Sequence, residues 1–119
     1  MSMRVEIALD GITDLEVMLT ALEEMGIAAQ KVLNKGSCAE AWAKIGGHDV
    51  DIVRNSDRNL VLVGDGDWRF MRSRIFQNRL RQRYSLVAVK RKAVALGYQI
   101  IDVLEQEDHT VKVVARAWG

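Results

Sequence analysis

Two aspartates one residue apart, Asp65 and Asp67, stand in the loop sequence Gly64-Asp65-Gly66-Asp67-Trp68. Adjacent loop carboxylates are hard oxygen donors of the kind that hold Mg²⁺, so a divalent-metal enzyme built on Asp65 and Asp67 is one reading of the chain. No third ligand follows at a useful spacing. The same two residues serve as a strand-to-helix turn, in which Asp67 caps the helix and both charges favour its N-terminus. The loop lacks the Gly-x-x-x-x-Gly-Lys-[Ser/Thr] pattern of a phosphate cradle, and its acids repel phosphate. His48, Asp49 and Asp51 resemble a ligand cluster, yet on a strand His48 faces away from both aspartates. His109 lies too far along the chain to complete a ligand spacing. Cys38 has no local base or oxyanion donor and reads as a small buried hydrophobe. The sequence therefore assigns no catalytic residue, no metal ligand and no cofactor.

The elements that would position these residues are short and punctuated. Met3 to Leu9 alternates and predicts a strand with Val5, Ile7 and Leu9 on one face. After the Asp10-Gly11 turn, Thr13-Asp14-Leu15-Glu16 predicts a capping box with Thr13 as N-cap and Glu16 reaching back, and Ile12 and Val17 stand as a staple. The helix that follows turns Leu15, Met18, Leu19, Leu22 and Met25 inward, and Gly26 ends it. Residues 27–33 predict a second strand, while Cys38 to Ile45 suits either a short helix or a strand. Val50 to Arg54 predicts a strand, the continuous apolar run Leu60 to Val63 a central one, and Tyr98–Leu104 with Val111–Trp118 a terminal hairpin. Few helices among strands adjacent in sequence imply an α+β domain over residues 1–119. Its form would be a mainly antiparallel sheet with helices packed on one face, a ferredoxin-like split βαβ with extra strands.

The 119 residues carry a net charge of +1, which gives no whole-chain argument for nucleic acid or membrane. One cysteine excludes an internal disulfide and fits a reducing compartment. The opening MSMRVEIALDG has no apolar signal core, and no run approaches 18 apolar residues, so a cytoplasmic protein without membrane contact is expected. The distribution of charge is more informative than its sum. From Trp68 to Ile101 there are nine Lys or Arg and no acid, whereas residues 1–67 hold six basic and twelve acidic residues.

That cationic stretch predicts a helix bounded by Asp67 and Gly97, rich in Arg, Lys, Gln, Ala and Leu. On a 100° wheel Phe76, Leu80, Tyr84, Val87 and Val94 form one apolar stripe, and Met71, Ile75, Leu86, Val89 and Ala93 a second on the opposite side. Between them run Arg72, Arg79, Arg83 and Lys90 on one flank and Arg74, Arg81 and Lys92 on the other. Unbroken, such a helix would be about 45 Å long, so a break or bend near Gln82 to Ser85 is expected. The double apolar face also suggests a homo-oligomer.

The second half of the chain resembles a family of uncharacterised conserved open reading frames of plastids and cyanobacteria, with relatives in other bacteria and in phages. The residues that carry the resemblance are Leu62-Val63-Gly64-Asp65, Trp68, Phe76, Leu80, Gln82-Arg83-Tyr84 and Gly97-Tyr98. Glu107-Asp108, Arg116 and Trp118 resemble the family's ending. The opening strand and helix are similar as well. Residues 27–59 match poorly, and His109 stands where the family has Gly. The family brings no established activity, catalytic residue or cofactor. Its members are often encoded near AAA-type ATPases and another small protein of unknown function, which implies an accessory role.

From these observations the chain reads as a non-enzymatic interaction or accessory protein, self-associating or working with an AAA-type ATPase. Its partner-binding residues would be Arg72, Arg74, Arg79, Arg81, Arg83, Lys90 and Lys92. A nucleic-acid-binding module using the same stripes is the alternative, with affinity that falls steeply with salt. The opposing structural reading has the arginines snorkel beside the apolar stripe and pair with Asp14, Glu16, Glu23 and Glu24 of the first helix.

Overall fold

The computed structural model describes residues 4–33, 36, 38–65, 74–105 and 111–117. The chain opens on strand β1 (Arg4–Leu9), where alternation buries Ile7 and Leu9. Helix α1 (Leu15–Glu24) follows, one residue out of step with the capping box. Its N-cap is Asp14, whose side chain accepts from the Val17 N–H at 3.2 Å, in place of the expected Thr13. A carboxylate is the stronger acceptor at a positive helix end, so it displaces the hydroxyl next to it. Glu16, no longer at N3, instead pairs with Lys31. The far end closes as expected at Gly26, with φ +78°. There the Ile27 N–H donates to Leu22 O and the Gly26 N–H to Glu23 O, each at 2.9 Å, which is a Schellman closure.

Strands β2 (Ala29–Lys31), β3 (Ala39–Ile45), β4 (His48–Arg54) and β5 (Leu60–Asp65) join β1 in a five-stranded sheet of order β1-β5-β4-β3-β2. Every neighbouring pair is antiparallel. Four such steps make the two edge strands parallel, so β1-α1-β2 is a split βαβ drawn wide, with three strands between its arms. Cys38 to Ile45, ambiguous by composition, is settled by pairing: Ala41, Ala43 and Ile45 are buried, and Trp42 faces the other way. Cys38 is exposed just outside this strand, and is not the buried hydrophobe expected. The run Leu60–Val63 lies between β1 and β4, with Leu60 and Leu62 in the core and Val61 and Val63 each 6% exposed on the opposite face.

Helix α2 (Arg74–Ala95) runs through Gln82 to Ser85 as one continuous helix, without the expected break. One apolar stripe is taken up by the core, while of the other Leu86 is buried and Ile75 and Val89 remain exposed. Phe76, Leu80 and Val87 enter the same core as Met18, Leu22, Ile52 and Leu62, with Tyr84 and Ala88 at its edge; both helices thus lie on one face of the sheet. Leu86 is buried outside that core, and strands β6 (Tyr98–Glu105) and β7 (Val111–Ala117) lie against α2 as a separate two-stranded sheet. The predicted terminal hairpin is therefore present, but it extends the helix rather than the main sheet. At 1.5 Å per residue α2 spans about 33 Å, and the molecule is 58 Å in its longest dimension. Its radius of gyration of 15.7 Å exceeds the roughly 13.5 Å of a compact chain of this length.

The two sides of α2 should respond differently to truncation. Leu80→Ala, in the core, is expected to lower unfolding free energy in urea by about 3 kcal/mol. Ile75→Ala, at a position 72% exposed, should change it by less than about 0.5 kcal/mol.

Candidate interaction surface

Within its described span α2 carries seven Lys or Arg and no acid. Such a helix repels itself, so what holds it in place decides what its charges are free to do. Three side chains tie it to α1 and the turn before it. Arg81 Nη1 donates to the Asp10 carbonyl at 2.7 Å. The Tyr84 hydroxyl accepts from the Thr13 N–H at 3.3 Å and the Asp14 N–H at 3.0 Å. Arg91 Nη2 donates to Thr20 Oγ1 at 2.7 Å. All four protein partners are neutral, so the ties do not neutralise the helix.

The same turn is gripped from the sheet side. The Gly11 N–H donates to Asn59 Oδ1 at 3.2 Å, and the Leu60 N–H to Ile12 O at 2.8 Å. Arg54 donates from Nη1 to the Thr13 carbonyl at 2.7 Å and to the Arg58 carbonyl at 2.8 Å. Its Nε and Nη2 fork onto the Glu40 carboxylate at 2.8 and 3.1 Å. The hydrogen bond to Glu40 holds the Arg54 guanidinium above its ordinary pKa, against a lowering by burial. A bidentate fork fixes geometry as well as charge, and here it aims the remaining arginine nitrogen at the turn.

The remaining cations of α2 are placed differently. Arg74, Arg79 and Lys92 are exposed, Arg83 and Lys90 half-buried, and none makes an ion pair among the described residues. The pairing of these arginines with Asp14, Glu16, Glu23 and Glu24 is not found there: Asp14 caps its own helix, and Glu16 pairs with Lys31. The half-burial of Arg83 and Lys90 does fit stems lying along apolar surface with their charged ends outward. Arg79 and Arg83 border an open depression of about 280 Å³ with Gln82 and Met25, the C-cap of α1. Arg72, also expected on this surface, lies outside the described residues.

Other candidate chemistry is not assembled. The Asp65 side chain, Asp67, His109, Trp68 and Trp118 lie outside the described residues. His48 and Asp49 are exposed at the start of β4, and Asp51 shares the outer sheet face with Trp42, its cross-strand partner, which is 39% exposed. Among the described residues no three His, Cys, Asp or Glu approach one another closely enough to hold a metal ion, and no helix is long and apolar enough to cross a membrane.

Tyr84, Arg91 and Arg54 were not legible as functional positions. A signal existed for Arg91: it stands seven residues after Tyr84 and so repeats its place on the wheel, a cation set within an apolar stripe. Removing the Tyr84 hydroxyl leaves two backbone donors without their acceptor. Tyr84→Phe is expected to lower the urea midpoint at unchanged slope, by about 1 kcal/mol of stability. Neither a family model, nor a curated protein, nor a solved structure matches this chain.

Proposed function

We propose that this chain is a non-enzymatic interaction module whose contact surface is the open basic side of α2. Arg74, Arg79, Arg83, Lys90 and Lys92 are its contact residues, and an acidic patch on a protein partner is its target. The observation that carries the proposal is the division of labour on α2: Arg81 and Arg91 reach neutral acceptors in the protein's own fold, while these five cations make no ion pair among the described residues. Arg81 is accordingly assigned to anchoring rather than to the partner. Uncompensated, partly exposed charges of one sign speed encounter with an oppositely charged surface and set which partner is accepted. The resemblance to the plastid and cyanobacterial open-reading-frame family makes an AAA-type ATPase the first partner to seek and an accessory role in the cytoplasm the setting.

A tagged chain recovered from its own cells, with and without nuclease, should retain a protein partner after nuclease treatment. Arg79→Glu with Arg83→Glu should then reduce capture at least tenfold with an unchanged unfolding midpoint. Capture that survives this double reversal refutes the assignment. Recovery that vanishes with nuclease moves the same cations to phosphate contacts, and affinity should then fall with salt by about one unit of log slope per phosphate.

A further inference from the structure

Arg79, Gln82 and Arg83 stand at i, i+3 and i+4 and so share one face of α2. That face meets the far end of α1, where the three residues and Met25 line a single open depression of about 280 Å³. Both guanidinium groups thus border the same hollow, and among the described residues neither makes an ion pair or a side-chain hydrogen bond. Two like charges one helical turn apart repel each other, and one anion held between them removes that repulsion. Size narrows the occupant. The hollow is smaller than the roughly 300–1,000 Å³ of pockets that enclose a whole small molecule, so it suits the end of a side chain presented by something larger.

The walls narrow it further. Met25 is partly buried and supplies an apolar wall. The end of α1 brings the negative pole of a helix dipole to this place, and the exposed Glu23 and Glu24 immediately precede Met25. The last turn of α1 holds no basic residue to offset them. A nucleic-acid strand carries a charge about every 3.4 Å, so the phosphates beside a held one would meet this acidic rim. A carboxylate side chain brings a single charge on an apolar stem. We infer that the depression is the seat for one carboxylate side chain of a protein partner, clamped by Arg79 and Arg83 with its methylenes against Met25. The inference rests on the reading of the open side of α2 as the contact surface, and adds to it a specific anchor point. Each guanidinium can meet a carboxylate with two parallel N–H donors, whereas a lysine offers only a point charge.

The Met25 methyl signal of the full chain, followed by NMR at physiological salt, reports on the hollow. The peptide acetyl-Ala-Ala-Glu-Ala-Ala-amide should shift it saturably at millimolar concentration, and the same peptide with Gln in place of Glu should not. Arg79→Lys with Arg83→Lys keeps both charges and removes both forks. It should weaken the Glu peptide about fivefold at an unchanged unfolding midpoint. Lys90→Gln with Lys92→Gln should leave the affinity unchanged. Equal binding to the Arg79→Lys, Arg83→Lys variant overturns the anchor while sparing the charged-surface reading, which falls only if partner capture survives Arg79→Glu with Arg83→Glu. An unmoved Met25 signal, equal binding of the Gln peptide, or tighter binding of hexathymidylate at this place also overturns the inference.

Discussion

A helix with seven cations and no acid must be held without being neutralised, and the rest of this structure depends on how that is done. The solution is to aim α2 at neutral acceptors. A carbonyl at Asp10 and a hydroxyl at Thr20 receive its arginines, and the Tyr84 hydroxyl receives two backbone donors at the start of α1. Among the described residues the ion pairs lie elsewhere, Glu16 of α1 with Lys31 and Glu40 of β3 with Arg54 of β4. Charged donors on neutral acceptors still make stronger hydrogen bonds than neutral pairs. The helix is thus anchored and its field is preserved.

The anchor converges on five residues, Asp10 to Asp14, which receive bonds from β4, the turn after it, the start of β5 and two positions of α2. This turn therefore couples sheet and helix: a change at Arg54 or Tyr84 would tilt α2 and with it every cation on its open side. Beyond the turn α2 enters the main core through Phe76, Leu80 and Val87, and the β6-β7 hairpin lies against it as a second layer. The second layer is thin, which is why its outer surface remains exposed.

Local signals were legible in the sequence. Gly26 and Gly97 closed helices because a left-handed residue is written as glycine, and Leu60–Val63 read as a central strand because both its faces are covered. Positions decided by competition or by distance were not. Asp14 displaced Thr13 as the cap by carrying the stronger acceptor one residue on. Ala39–Ile45 became a strand only through its neighbours on both sides. The break expected in α2 is absent: Arg74–Ala95 is one continuous helix, with one stripe in the core and Ile75 and Val89 of the other exposed. The basic surface was legible as a charge run, but its division into anchoring and open cations rests on partners some seventy residues away.

That division is the central claim, and lysine acylation footprinting of the chain with its recovered partner tests it most directly. Lys90 and Lys92 should lose reactivity on complex formation, while Lys44, exposed on the outer sheet face opposite Asp49, should keep it. Protection of Lys44 with Lys90 and Lys92 unchanged would place the partner on the sheet and contradict the account.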